Sequence, residues 1–478
     1  MASRDQGTHW ERWNWMRQWG FRDTIAAVAT PRGKGAIGIV RLSGPLCRKI
    51  AESVFEPARG SHPLRSHRFY YGRVRAPGSE EYIDEAMAVL MEAPRSYTRE
   101  DCLEIQVHSG PSVVQEVLEA VLQCGARVAN PGEFTLRAFL NGRIDLTQAE
   151  AVLDMVEARS RAARRLALGQ LVGGLAREAA QWKERLLDLM SSVEAGIDFP
   201  DEDLPAVDGE AVGKALGELL LRAEGILETY RRGRLAREGA RVMLIGPVNA
   251  GKSSLLNAMV GYERAIVTDL PGTTRDLVEE PLEWGGLPIR AIDTAGIREE
   301  GDEIEKHGRR LLRERMGEAD LLVLVIDSSK EEIPPLGEVE GWVVEKPCIV
   351  AWNKVDLEER ARLEQLPEAV RARRLVRVSA LKGWGVRELL DAIRDELLGG
   401  DEGEEWALTN ARHRDLVSRF CSHLGRAREM VSQGGKGVWW ELVAEELRGA
   451  MECLDELRGV KADDEVLARI FERFCIGK

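Results

Sequence analysis

The segment GPVNAGKSS, residues 246–254, places glycine, lysine and serine at the spacing of a phosphate-binding loop. It fits the pattern G-x-x-x-x-G-K-[ST] through Gly246, Gly251, Lys252 and Ser253, between the apolar run RVMLI and a run with helical periodicity. Glycines let backbone N–H groups surround phosphate oxygens, and a helix N-terminus adds positive potential. We expect Lys252 to bridge the β- and γ-phosphates and Ser253 to ligate Mg²⁺. The segment therefore predicts a nucleoside triphosphate site.

Two later segments predict that the bound base is guanine. NKVD, with Asn353, Lys354 and Asp356, ends an apolar run, and a carboxylate there can accept both N1–H and N2–H of guanine. Adenine offers no such pair of donors. The segment SAL, from Ser379 to Leu381, fits the loop whose backbone supports guanine O6. Leu381 stands where Lys or Arg is usual, so we expect the backbone contacts to persist and the packing on the base to differ.

Two further segments supply groups that respond to the γ-phosphate. DTAG, residues 293–296, provides a carboxylate behind Mg²⁺ and a glycine that senses the γ-phosphate. TTRD, residues 273–276, provides Thr274 as a second Mg²⁺ ligand. These ordered motifs, which alternate with apolar runs, indicate a GTPase. The predicted GTP contacts are Asn249, Ala250, Gly251, Lys252, Ser253, Ser254, Thr268, Asp269, Leu270, Pro271, Gly272, Thr273, Thr274, Asp293, Thr294, Ala295, Gly296, Asn353, Lys354, Val355, Asp356, Ser379, Ala380 and Leu381.

The catalytic machinery for hydrolysis departs from the common pattern. Many GTPases carry a Gln after DTAG that orients the attacking water, whereas this chain has Ile297, which cannot do so. An arginine finger contributes about 10³–10⁵ in rate, and Arg275 is the nearby candidate for one. Otherwise the positive charge must come from a partner or a bound cation. Asn249, inside the loop, either ligates such a cation or stabilises the loop itself.

The distribution of apolar runs, of Gly and Pro, and of helical periodicity along the chain predicts the elements that position these groups. Residues 1–20 form a tryptophan-rich extension that we expect to be disordered. Residues 21–140 have short apolar runs broken by Gly and Pro, which is typical of an α+β domain. Residues 239–400 alternate apolar and helical stretches, which indicates a mostly parallel sheet in an α/β domain. Helical periodicity before and after it, over 141–238 and 401–478, predicts a helical domain into which that α/β domain is inserted.

Composition limits the classes of function. The 478 residues carry a formal net charge of −13, so any contact with nucleic acid must use local basic patches such as RSRAARR or HGRRLLRER, unless these are ordinary solvated helix faces. Seven scattered cysteines, with no C-x-x-C pair, indicate free thiols in a reducing cytosol. No apolar run is long enough for a membrane span.

The segment RFCIGK at 473–478 allows three interpretations. Cys475 is a buried thiol that anchors a helix, a lipid acceptor in a formal C-a-a-X motif, or part of a ligand site. Lipidation is disfavoured because Lys is a poor final residue. Burial alone does not account for the Gly-Lys that follows, so the residues leave packing and a ligand site as open alternatives.

Taken together, these segments resemble the MnmE family, also called TrmE, of tRNA-modification GTPases. The resemblance runs from about Thr24 to Lys478. It is carried by DTIAAVATP, GIVRLSG, EDCLEIQVHSGP, NPGEFTLRAFLNGRIDLTQAEAV, EAGIDFPDED, GPVNAGKSSLLNA, AIVTDLPGTTRD, DTAGIRE and FCIGK.

The resemblance implies a G domain that is activated by potassium-dependent dimerisation across its nucleotide faces. It assigns the role of orienting water to Glu305, and the bound K⁺ replaces the charge of an arginine finger. The implied potassium ligands are Asn249, Thr268, Leu270 and Thr273.

The resemblance also implies that residues 21–140 form a folate-binding domain that holds 5-formyl-tetrahydrofolate or a related one-carbon folate. The implied folate contacts are Arg41, Glu104, Arg143 and Lys478, and Cys475 lies near this pocket with a catalytic or substrate-proximal role. From the residues alone, Glu104 could equally be an outward residue of a strand. Arg143 stands where relatives can have Lys, which keeps the charge but presents its donors differently.

The function implied is that of a cytoplasmic, homodimeric GTPase. With an FAD-dependent partner subunit of the MnmG/GidA type, in a heterotetramer or larger complex, it adds a (carboxymethyl)aminomethyl group to C5 of the wobble uridine of certain tRNAs. The alternative is a regulatory GTPase of RNA or ribosome assembly without covalent chemistry, which would have no use for the folate contacts or FCIGK.

Overall fold

The computed structural model describes residues 23–31, 33–59, 63–158, 160–198, 208–262, 279–293, 316–337, 339–399, 406–433, 439–461 and 463–478. The chain divides into two compact units. The first takes residues up to Leu153, then Leu171–Leu216 and Ser422–Lys478. The second takes Asp154–Gln170 and Gly217–Cys421.

The first unit contains a seven-stranded sheet flanked by helices. In chain order its elements are β1 (Ile25–Val28), β2 (Ile37–Ser43), α1 (Cys47–Val54), β3 (Phe55–Pro57), β4 (Phe69–Arg75), β5 (Tyr82–Met91), β6 (Cys102–His108), α2 (Pro111–Gln123) and β7 (Arg127–Val128). The strand order is β3-β4-β5-β6-β2-β1-β7, antiparallel except for the β1–β7 pair. This mixed arrangement confirms the expectation of an α+β domain.

The pleat of β2 and β6 sorts their side chains between the two faces of the sheet. Val40 and Leu42 are buried with Leu103 and Ile105 in a core that α1 and α2 cover. Because successive side chains of a strand point to opposite faces, the residues between them face away from that core. The register pairs Arg41 with Glu104 there.

Among the described residues, six helices follow this sheet. They are α3 (Glu133–Leu140), α4 (Leu146–Glu157), α5 (Arg161–Leu171), α6 (Gly174–Asp198), α7 (Gly209–Glu228) and α8 (Tyr230–Glu238). The helical periodicity of this part of the sequence is thereby confirmed.

A buried ionic cluster joins α3 to the sheet. Arg137 of α3 has a fully buried side chain, and its guanidinium donates to Asp23 at 2.8 Å, to Glu133 at 2.9 Å and to Glu100 at 3.1 Å. Arg127 of β7 pairs with both Asp23 and Glu133. Burial alone raises the pKa of Asp23, but the two arginines outweigh that effect and hold the pKa below its usual value.

The second unit contains a six-stranded sheet. Its elements are β8 (Ala240–Ile245), α9 (Lys252–Tyr262), β9 (Glu279–Trp284), β10 (Leu287–Asp293), β11 (Leu321–Asp327), α10 (Val339–Glu345), β12 (Cys348–Asn353), α11 (Glu368–Arg371), β13 (Arg374–Val378) and α12 (Val386–Leu398). The order is β13-β12-β11-β8-β10-β9, and only β9 runs antiparallel to its neighbour. The predicted mostly parallel sheet is confirmed.

Burial explains the apolar runs of this sheet. Every residue of β11 and of β12 is buried, because α9 and α12 cover one face of the sheet and α10 covers the other. Parallel strands covered on both faces have continuous rather than alternating hydrophobic sequences. The carboxyl ends of β8, β10, β11 and β12 consequently lie along one edge of the sheet.

Three more helices complete the described chain: α13 (Ala411–Gln433), α14 (Trp440–Arg458) and α15 (Asp464–Phe471). In the first unit α14 packs along α6. Phe471 and Phe474 are buried with Leu136 and Leu146, so the last helix contributes to the core that contains α3 and α4. Within the described residues, no helix combines the length and the apolar character needed to cross a membrane.

Candidate functional site

The loop between β8 and α9 has the geometry of a phosphate cradle. Gly251 has φ +93°, and a Cβ there would lie 2.4 Å from Nδ2 of Asn353, so only glycine fits. The ammonium of Lys252, which is buried, donates to the carbonyls of Gly246 at 3.0 Å and Pro247 at 2.9 Å. The loop therefore holds a cation beside the N-terminus of α9, which is an arrangement suited to phosphate oxygens.

A pair of oxygen ligands lies beside this loop. Ser253, in the first turn of α9, donates its hydroxyl to the carboxylate of Asp293. Asp293 ends β10, and the parallel register places it opposite Leu244 of β8. Hydroxyl and carboxylate oxygens are the donors that Mg²⁺ prefers, so the pair fits that ion.

Asn353 connects the phosphate loop to the SAL segment. Its buried amide donates from Nδ2 to the carbonyl of Ala250 at 2.8 Å, and its Oδ1 accepts from the N–H of Ala380 at 3.1 Å. Val355 also donates its N–H to the carbonyl of Val378, at 3.3 Å. These bonds fix the NKVD and SAL segments against one another.

The carboxylate of Asp356, which the sequence predicts to bind guanine, is held by the same loop. Oδ1 of Asp356 accepts from the hydroxyl of Ser379 at 2.6 Å, and that hydroxyl accepts from the N–H of Lys382 at 3.1 Å. Trp384 closes the loop, since its carbonyl accepts from the N–H of Ser379 at 2.9 Å. The side chain of Leu381 is 81% exposed, so it makes no buried contact within the described chain.

One residue of this site was not predicted. Asp327 ends β11 beside Asn353 of β12, and its Oδ2 accepts from the ammonium of Lys354 at 2.6 Å. Its Oδ1 accepts from the N–H and hydroxyl of Ser329, at 3.1 and 2.6 Å. Burial raises the pKa of Asp327, but the hydrogen bonds from Lys354 and Ser329 lower it by more than burial raises it. The pKa of Asp327 therefore lies below its usual value. The feature of the sequence that could have predicted Asp327 is an Asp at the end of an apolar strand.

Lys354 occupies a left-handed backbone conformation with φ +68°. Its ammonium also donates to the carbonyl of Asn249 at 3.0 Å, and Asn249 is itself left-handed with φ +61°. Asp327 thus positions a lysine that reaches from the NKVD segment to the loop between β8 and α9.

We expect Asp327→Asn to weaken GTP binding about 10- to 100-fold, because a charge-assisted hydrogen bond worth about 1.5–3 kcal/mol is lost. The kcat at saturating GTP should change little, since the partners of Asp327 among the described residues, Lys354 and Ser329, are not predicted to bind phosphate. Nucleotide titration and steady-state kinetics measure this. Asp395→Asn, which removes an exposed partner of Arg374, is the matched control. A lower kcat with unchanged KM would contradict the positioning role.

Several predicted residues lie outside the described part of the chain. They are Thr268, Asp269, Leu270, Pro271, Gly272, Thr273, Thr274, Arg275, Thr294, Ala295, Gly296, Ile297 and Glu305. The extension at 1–20 and the basic segment HGRRLLRER lie outside it as well.

A second constellation lies in the first unit. Nε of Arg41 donates to Oε1 of Glu104 at 2.8 Å, and its Nη1 donates to the carbonyl of Gly477 at 3.4 Å. Both side chains are largely buried. A guanidinium, a carboxylate and the tail from Cys475 to Lys478 are thereby brought together.

The tail fits closely against β1. Gly477 has φ +95°, and a Cβ there would lie 2.6 Å from the carbonyl oxygen of Val28. The N–H of Lys478 donates to the carbonyl of Cys475 at 3.3 Å, which makes a turn that leaves the thiol exposed. Exposure does not fit the interpretation of Cys475 as a buried anchor.

Arg143 has a different neighbour from the other predicted folate contacts. Its guanidinium lies 4.7 Å from the ring centroid of Tyr97, a cation–π contact. The hydroxyl of Tyr97 is hydrogen-bonded to Thr135 at 3.0 Å, which fixes the ring.

The chain is similar to known proteins over nearly its whole length. One family model, described as the MnmE helical domain, matches residues 146–475, and another, described as the N-terminus of the GTP-binding protein TrmE, matches residues 24–143. The protein named tRNA modification GTPase MnmE of Syntrophotalea carbinolica is 44% identical over 467 residues, which cover 95% of this chain and 99% of the relative. The protein of that name from Geobacter sulfurreducens is 45% identical over 464 residues, with the same coverage.

Among solved structures, the G domain of the FeoB iron transporter of T. maritima aligns with 33% of this chain and 98% of its own length. Its sequence identity is 27% and its TM-score 0.25.

Proposed function

Since the chain belongs to the MnmE family of tRNA modification GTPases and is a GTP hydrolase that acts in tRNA modification, we propose a division of labour between its two sites. The second unit hydrolyses GTP. The first unit holds a tetrahydrofolate one-carbon unit. With an FAD-dependent partner subunit of the MnmG type, the enzyme adds a (carboxymethyl)aminomethyl group to C5 of the wobble uridine of tRNA. GTP hydrolysis drives a conformational change through dimerisation of the G domains.

The nucleotide site contributes binding and positioning of charge. Lys252 binds phosphate oxygens, and Ser253 with Thr274 holds Mg²⁺ while Asp293 lies behind it. Asp356 reads guanine, in a loop supported by Ser379. Mg²⁺, when bound, neutralises charge on the transferring phosphoryl group.

Potassium completes this site in the proposal. Its ligands are Asn249, Thr268, Leu270 and Thr273, Glu305 orients the attacking water, and Arg275 lies nearby. The left-handed backbone of Asn249, with its carbonyl held by Lys354, supports the assignment because it fixes the backbone from which the Asn249 side chain extends. When bound, K⁺ supplies the positive charge that an arginine finger supplies in other GTPases.

The observation that carries the tRNA-modifying function is the ion pair of Arg41 and Glu104 next to the tail. A guanidinium beside a carboxylate offers donors and acceptors to a pterin edge or a carboxylate, and the pair belongs to the first unit, whereas the nucleotide motifs belong to the second. Arg143 and Lys478 add cations for the folate, and Cys475 takes part in the chemistry at the base. This set fits a folate with its negatively charged tail.

Other parts of the proposal concern organisation. Residues 21–140 bind folate and dimerise, and residues 141–238 and 401–478 form one helical domain around a G domain at 239–400. The protein is a cytoplasmic homodimer that joins its partner subunit in a heterotetramer or larger complex.

The proposed function predicts the nucleosides found in tRNA. Cells lacking this protein are complemented with wild type, Cys475→Ser or Glu104→Gln, and their tRNA is analysed by nucleoside mass spectrometry. We expect wild type alone to restore the C5-aminomethyl wobble uridine, while both variants hydrolyse GTP at the wild-type rate.

Two other outcomes separate the alternatives. If Cys475→Ser restores the modification and Glu104→Gln does not, Cys475 has a packing role only. If the modification is intact in cells without the protein, the regulatory RNA or ribosome-assembly GTPase becomes the better interpretation.

A further inference from the structure

Helix α5 concentrates positive charge in an acidic chain. Its eleven residues include Arg161, Arg164 and Arg165 and no Asp or Glu, whereas the whole chain has a formal net charge of −13. A polyanion that approaches this protein is repelled by the average field and needs a local basic surface.

Packing fixes the direction in which these arginines point. Ala163, Leu166, Ala167 and Gln170 are the buried residues of α5. Leu166 lies in a small core with Ala236 and Ala407, and Nε2 of Gln170 donates to the carbonyl of Ala407 at 2.9 Å. The helix is therefore anchored along one side.

The three arginines are on the opposite side of α5. They are spaced i, i+3 and i+4, which places them on one face of the helix, and all three are exposed. In the part of the chain that the structure describes, none of their guanidinium groups has an ion pair or a hydrogen-bond partner. Neighbouring like charges on a helix destabilise it by a few tenths of a kcal/mol per pair.

Two of the four arginines of α8 are different. Arg237 pairs with Asp154 at 2.7 Å, and Arg234 pairs with Asp320. Their charges are neutralised inside the second unit and serve packing. The three arginines of α5, in contrast, are exposed and available to contact a partner.

We propose that this face of α5 docks on the phosphate backbone of the tRNA substrate; the proposal rests on the tRNA-modifying function of the family. Guanidinium groups bind phosphate oxygens in bidentate fashion, and a cluster of three provides affinity and orientation without reading sequence. Each neutralised phosphate releases counterions, so the contact makes binding depend on salt.

The test compares two triple variants of the full chain. One is Arg161→Gln with Arg164→Gln and Arg165→Gln. The matched control, Arg185→Gln with Arg387→Gln and Arg428→Gln, removes the same charge from exposed arginines elsewhere. Binding of labelled tRNA is measured over a series of KCl concentrations, and intrinsic GTP hydrolysis is measured alongside.

We expect the α5 variant to lower the slope of log K against log salt by roughly 2–3 relative to wild type, whatever the tRNA sequence. The control should retain the wild-type slope, and both variants should hydrolyse GTP normally. An α5 variant with the slope of the control overturns the proposal. So does one that binds tRNA normally but loses a protein partner. Wild type that hydrolyses GTP but binds no tRNA would instead contradict the tRNA-modifying function itself.

Discussion

Asn249→Gly is expected to reduce potassium-stimulated GTP hydrolysis about 10³-fold, to the rate that wild type shows in Na⁺. The effect is large because the side-chain oxygen of Asn249 is a proposed ligand of the cation that replaces an arginine finger. GTP affinity should be nearly unchanged, since Lys252, Ser253 and Asp356 remain. Hydrolysis is measured in K⁺ and in Na⁺ at equal ionic strength.

The choice of glycine separates two roles of this residue. Asn249 has φ +61°, a conformation that glycine adopts without strain, so the backbone of the loop is kept while the oxygen is removed. Asn249→Asp tolerates the same conformation, retains an oxygen, and should keep much of the potassium response. If Asn249→Gly responds to K⁺ as wild type does, Asn249 only stabilises the loop.

Arg137→Met is expected to destabilise the first unit by about 3–5 kcal/mol, because it leaves Asp23, Glu133 and Glu100 without their buried cation. Unfolding of a chain with two units need not be two-state, so amide hydrogen exchange of β1 and α3 is the appropriate measurement. Protection there should fall by at least 10²-fold. The control is Arg469→Met, which breaks an exposed pair with Glu465 and should change protection little.

The same cluster predicts a dependence on pH. The pKa of Asp23 is lowered in the folded protein, so its contribution to stability is present above the unfolded pKa of about 3.9 and is lost as pH falls through the folded value. Arg137→Met should flatten this acid limb. An equally steep limb in the variant would show that Asp23 does not depend on Arg137.

Contiguous motifs made the nucleotide site predictable. Gly251, Lys252 and Ser253 lie next to each other in the sequence, so their spacing alone fixes their geometry. Asp327 escaped prediction because its partner Lys354 is 27 positions away, and only the parallel pairing of β11 with β12 brings the two together.

The first unit was less accessible to prediction for the same reason. Arg41 and Glu104 are 63 positions apart, and Asp23 and Arg137 are 114 apart. Their meeting depends on the order and register of seven strands, which residue types do not determine. The parallel sheet of the second unit was easier, since each of its buried strands has its own unbroken apolar run.

The contact of Arg41 with Gly477 joins positions 436 residues apart, and every residue of the second unit lies between them. On the ribosome, β1 and β2 are therefore made long before the tail that packs on them, while the second unit is synthesised nearly as one stretch. Domains generally fold as units during synthesis, and contacts between distant positions form late. The sheet of the second unit can thus form before the C-terminal helix and tail have been made. Until then the core around α3 and α4 lacks Phe471 and Phe474, and a chaperone would bind the nascent chain in that state.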